Sequence, residues 1–130
     1  MRRAITLLAL FLGLACGVAA DDQPPASGIA GRVVAGPTCP VETVPPQPGC
    51  EPRPLAVTLR IHPLGSPTPV VYVHSGTDGR FRVRLAPRTY VLKALRPGES
   101  AFPIPPPPRR VKVEPARFTF VQIYYDTGIR

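Results

Sequence analysis

Twenty prolines are scattered through the 130 residues of this chain, and no other feature constrains the fold as much. Proline locks φ near −65° and lacks an N–H, so inside a helix it breaks a hydrogen bond and clashes with the preceding turn, costing about 3 kcal/mol or more. No window carries apolar residues at helical spacing for more than a turn. The periodicity present is that of strands, apolar and polar residues alternating in short runs between Pro/Gly breaks.

Seven runs read as strands, most of them alternating in this way. The first spans 29–34 and contains Gly31. In the second, 55–62, Leu55, Val57, Leu59 and Ile61 face one side, and Ala56, Thr58, Arg60 and His62 the other. The third spans 70–74 and leads into Asp78-Gly79, a hairpin signal because glycine takes positive φ without steric cost. The fourth points Phe81, Val83 and Leu85 inward and Arg80, Arg82 and Arg84 outward. The fifth, 89–95, buries Tyr90, Leu92 and Ala94. Residues 105–108 are consecutive prolines and must run extended, outside any sheet; they protect a sheet edge or serve as a partner ligand. The sixth run, 109–114, points Val111 and Val113 inward. The seventh, 117–125, is apolar or aromatic on both faces, which predicts a central strand. The fold class is therefore all-β: a seven-stranded antiparallel Greek-key sandwich of two sheets.

The N-terminus has a different composition. Arg2 and Arg3 precede an uncharged, mainly apolar run of 12 residues, Ala4 to Ala15, and Val18-Ala19-Ala20 suits cleavage before Asp21. A spanning helix needs about 20 apolar residues, so residues 1–20 read as a signal peptide and not as a retained anchor. Residues 21–27 form a tether, and the domain occupies 28–130. Leu12-Gly13-Leu14-Ala15-Cys16 resembles the lipobox of bacterial lipoproteins, which implies lipidation of Cys16 as the alternative to cleavage after Ala20.

In an exported chain Cys39 and Cys50 form a disulfide most simply. The loop between them has 10 residues, four of them proline. Zinc would need two further ligands, and only His62 and His74 remain. Both histidines read as solvated surface side chains. Asp126-Thr127-Gly128 matches the tripeptide of aspartic proteases, but that chemistry takes two carboxylates sharing a proton. A single copy reads as a turn, with Asp126 accepting backbone N–H bonds. No phosphate loop, zinc-protease motif or nucleophile elbow occurs. The expectation is a protein that is not an enzyme and holds neither cofactor nor metal.

Charge points to a surface instead. The formal net charge is +8, and 14 of the 16 basic residues are arginine. Arg80, Arg82 and Arg84 fall at i, i+2 and i+4, so their guanidinium groups line one sheet face about 7 Å apart. They are the anion-binding candidates, joined by Arg60 and Lys112 if those strands are neighbours. The plain alternative is an ordinary solvated face. In the cell envelope the matching partner is an anionic membrane surface or wall polymer, or another envelope protein, and nucleic acid is not expected.

The run Gly28-Ile29-Ala30-Gly31-Arg32-Val33, the segments Thr77-Asp78-Gly79-Arg80-Phe81 and Leu85-Ala86-Pro87-Arg88-Thr89-Tyr90, and the pieces 36–40, Cys50-Glu51-Pro52 and 126–130 together resemble the carboxypeptidase regulatory-like (prealbumin-like) domains, in a bacterial envelope subgroup. The resemblance implies a non-catalytic structural or binding module of the envelope, tethered or periplasmic. A secreted carrier with a pocket between its sheets, or an accessory subunit of an envelope enzyme, is the alternative.

Overall fold

The computed structural model describes residues 25–130; the signal-peptide reading of 1–20, Cys16 and the start of the tether lie outside the described residues. Eight strands form: β1 Gly28–Gly36, β2 Arg53–Pro54, β3 Thr58–Pro63, β4 Val71–His74, β5 Arg80–Arg84, β6 Thr89–Ala94, β7 Arg109–Lys112 and β8 Phe118–Asp126. They make two four-stranded sheets packed face to face. In the first, β1 is central, flanked on one side by β5 and the short β2 and on the other by β8; the second runs β4-β3-β6-β7.

The all-β two-sheet sandwich is as expected, and most of the residues that alternation points inward are buried in it, Leu55, Val83 and Leu85 only partly. Ile29, Val33, Phe81, Val121, Ile123 and Tyr125 meet Leu59, Ile61, Tyr90, Leu92, Ala94 and Val111 between the sheets, all of them buried. Each aliphatic side chain fully removed from water contributes about 1.5–3 kcal/mol. The two buried tyrosines satisfy their hydroxyls on carbonyls: Tyr125 donates to Leu95 at 2.6 Å and Tyr90 to Ala86 at 2.7 Å. Ser75, also buried, accepts from the Val57 N–H and donates to the Leu55 carbonyl, at 2.8 and 2.7 Å. That bond holds 55–57, which the alternation assigns to a strand, at the sandwich corner ahead of the β3 ladder.

Four expectations need correction. First, β1 and β8 run parallel over nine residue pairs, Gly28↔Phe118 to Gly36↔Asp126, where an all-antiparallel sheet was expected. Second, β8 is an edge strand, since it pairs in a ladder with β1 alone. Its outward aromatics are exposed, no layer among the described residues covering that face: Phe120 is 72% exposed and Tyr124 40%. Its free edge is closed by other means, a bridge to Ile104 from the proline-rich loop and the Arg109 guanidinium on the Gln122 carbonyl at 3.3 Å. Third, the Asp78-Gly79 turn forms with Gly79 at φ +77°, but β4 and β5 belong to different sheets. It is a corner between layers, not a hairpin. Fourth, Ser27, assigned to the tether, is drawn into the sandwich: its hydroxyl donates to the Leu85 carbonyl at 2.7 Å, and its own carbonyl accepts from the Leu85 N–H.

Candidate functional site

The outer face of the first sheet assembles from its register. In the β1–β5 pair the Val33 N–H bonds the Gly79 carbonyl and the Leu85 N–H bonds the Ser27 carbonyl. The odd-numbered positions are therefore the hydrogen-bonded ones. Arg80, Arg82 and Arg84 occupy the alternate positions and are all exposed. Across β1 the rows read Arg84–Gly28–Phe118, Arg82–Ala30–Phe120 and Arg80–Arg32–Gln122. A column of arginines on β5 thus faces a column of aromatics on β8, with small residues and one more arginine between them.

The three arginines predicted from alternation share one face, as expected. Arg60 and Lys112 do not join them: they lie on β3 and β7 of the other sheet. Their place is taken by Arg32, directly opposite Arg80, and by Phe118 and Phe120. Alternation within 29–34 marks Arg32 as outward, because Ile29 and Val33 point in. What sequence does not carry is that β1 sits between β5 and β8.

The four arginines of this face make no salt bridge among the described residues. The two that occur there are Arg117–Glu114 at 3.2 Å and Arg130–Asp126 at 2.9 Å. Arg82 is held differently: its guanidinium carbon lies 3.8 Å from the centre of the Phe118 ring, a cation–π stack that reaches diagonally over Gly28. Where the central positions are Ala30 and Gly31, a trough of about 620 Å³ opens, walled by Arg80 and Arg82 on one side and Phe120 on the other.

The remaining predicted site residues are placed plainly. Cys39 and Cys50 are joined in a disulfide, with their Cα atoms 5.4 Å apart. His74 is exposed, its Nδ1 2.8 Å from the Thr58 hydroxyl. His62 departs from the solvated reading, being half-buried with Nδ1 donating toward the Pro63 and Ser66 carbonyls at 2.9 and 3.1 Å. Asp126 caps a turn: its carboxylate accepts the Gly128 N–H at 2.8 Å, and Gly128 has φ +78°. The Arg130 side chain and that N–H hold the Asp126 carboxyl below its ordinary range. Among the described residues no three His, Cys, Asp or Glu side chains group as metal ligands would.

No protein-family model matches the chain, and no curated protein is similar to it in sequence. Solved structures are similar in fold. GBS52, the minor pilin of the Gram-positive pathogen Streptococcus agalactiae, superposes with a TM-score of 0.59 and 18% identity, covering 80% of this chain and 46% of the pilin. A DUF3823 family protein from Parabacteroides merdae superposes with a TM-score of 0.50 and 17% identity, covering 81% of this chain and 48% of that one. The chain spans a little under half the length of each. At these identities the likeness is one of architecture, and it places the chain among β-sandwich domains.

Proposed function

We propose that this chain is a non-catalytic binding module of the cell envelope, of the carboxypeptidase regulatory-like type, whose working surface is the outer face of the first sheet. The observation that carries the reading is the row of Arg80, Arg82 and Arg84 with Arg32 beside them, none of which is in a salt bridge among the described residues. Such a field attracts an anionic surface and is screened by salt. The Cys39–Cys50 disulfide supports an oxidising compartment, and one fold neighbour is a minor pilin. The carrier reading is less well supported, because the space between the sheets is filled by the core. The cleft that reaches it, between Leu92, Ile123 and Pro106, holds only about 180 Å³. Attachment through a lipidated Cys16, as the alternative to release at Asp21, completes the proposal.

Co-sedimentation of the full chain with anionic and with zwitterionic vesicles at low salt tests the face. The difference between the two lipids is the readout, so apolar insertion of the N-terminus cancels. The anionic excess is expected to fall on replacing Arg80, Arg82 and Arg84 by Gln, and equal binding by the triple variant overturns the membrane form of the reading. Mass spectrometry of the mature N-terminus tests the tether: an acyl adduct on Cys16 supports it, and a start at Asp21 removes it.

A further inference from the structure

We infer that the trough over Ala30 and Gly31 is a subsite for one sugar residue of an acidic polysaccharide, a uronate whose ring lies on Phe120 and whose carboxylate bridges Arg32 and Arg80. The inference rests on the reading that this face binds anions and names which anion it takes.

Arg32 and Arg80 are directly opposite each other in the β1–β5 ladder, at a non-hydrogen-bonded position, where facing side chains approach most closely. Like charges so placed repel, and no salt bridge among the described residues relieves them. A carboxylate between the two guanidinium groups converts that repulsion into paired, charge-assisted hydrogen bonds. Phe120 stands in register with Ala30, one outward position along β1 from Arg32. Strand geometry puts it roughly 7–8 Å from Arg32 on the diagonal, the reach of one pyranose ring and the carboxylate it carries. Its ring is 72% exposed, offering an apolar face to the C–H face of a sugar. Arg82 is already drawn toward Phe118, which leaves Phe120 uncovered and the trough open.

The outer face of the second sheet is basic too, with Arg60 opposite Lys93 and beside Tyr72. Arg60, His62 and Lys93 stand on its two central strands, however, whereas the floor of the trough in the first sheet is the short Ala30 side chain beside the Gly31 backbone. A lipid headgroup layer needs only the summed charge of the face. The trough with its single aromatic wall is what a ring-bearing anion uses in addition. Along β5, arginines about 7 Å apart continue the track for further uronates of the same chain.

The test is titration calorimetry of the full chain with hexagalacturonate, its fully methyl-esterified form and phosphatidylglycerol vesicles. Binding of the acidic oligomer with at least tenfold preference over the esterified one is expected. Phe120→Ala and Ala30→Leu, which fills the floor without changing charge, should each weaken oligomer binding about tenfold. Both should leave vesicle binding and the melting temperature unchanged, and Phe120→Tyr should retain binding. Arg32→Gln with Arg80→Gln should weaken both ligands, whereas Lys93→Gln with Arg110→Gln should spare the oligomer. Vesicle binding without preference for the acidic oligomer, or Phe120→Ala and Ala30→Leu variants that bind it normally, overturns the subsite and leaves the anionic-face reading standing. Failure of every anion to bind overturns both.

Discussion

Gly31 is where single-residue geometry decides the sheet. It points inward from β1, and a Cβ there would collide with the Val121 carbonyl and come within 2.8 Å of the Phe81 ring. The carbonyl belongs to the parallel partner strand, so the clash falls on backbone that cannot rotate aside. Gly31→Val is therefore expected to destabilise the domain by about 3 kcal/mol, measured as the shift in urea unfolding midpoint. An unchanged midpoint would show that β1 and β8 are not held this closely. The glycine stands out in the sequence as a break in a strand, which suggests close backbone approach. The approaching strand lies some 90 residues further along the chain, and nothing local points to it. Ala30 and Arg32, on the opposite face of the same strand, are equally legible as outward and equally silent about their neighbours.

Among the elements, β5 and β6 read cleanly because one face of each is apolar and the other polar or exposed. Phe81 in β5, with Tyr90, Leu92 and Ala94 in β6, points in as alternation requires. The reading of β8 failed for an instructive reason. Apolar residues on both faces of a strand mean two buried faces only if something covers each of them, and among the described residues nothing covers Phe120. An exposed aromatic on a sheet face is a surface feature that looks, in sequence, like core. The loop from Gly36 to Pro52 reads better: its prolines exclude regular structure, and its cysteines meet. Replacing Cys39 and Cys50 by Ser removes a cross-link over a short loop and is expected to cost about 2–3 kcal/mol. The check is the urea midpoint of the variant against that of the oxidised and reduced parent. A variant as stable as the oxidised parent would mean that the loop contributes nothing to the sandwich.

Across the whole molecule, burial couples stability to alkaline pH. Desolvation of the Tyr125 phenol between the sheets pushes its pKa up to about 12, from 10.0 in the unfolded chain. The folded state thus keeps a proton that the unfolded state releases. Stability from this group is fully present below about pH 10 and is lost progressively as pH rises to about 12. Tyr90, raised by the same cause, adds to the slope. A series of urea midpoints should be level between pH 7 and 9 and fall above 10, and Tyr125→Phe should flatten the fall; an identical fall in that variant rules out the assignment. The sequence by itself determined the class of fold, through proline spacing that forbids helices and an alternation that sorts core from surface. It also determined which side chains point outward, because the strand repeat of two is a local property. Only the tertiary structure decided which outward residues share a face. The order β5-β1-β8, set by backbone pairing between distant segments, brought Arg32 and Phe120 to Arg80 and Arg82 and kept Arg60 and Lys112 away.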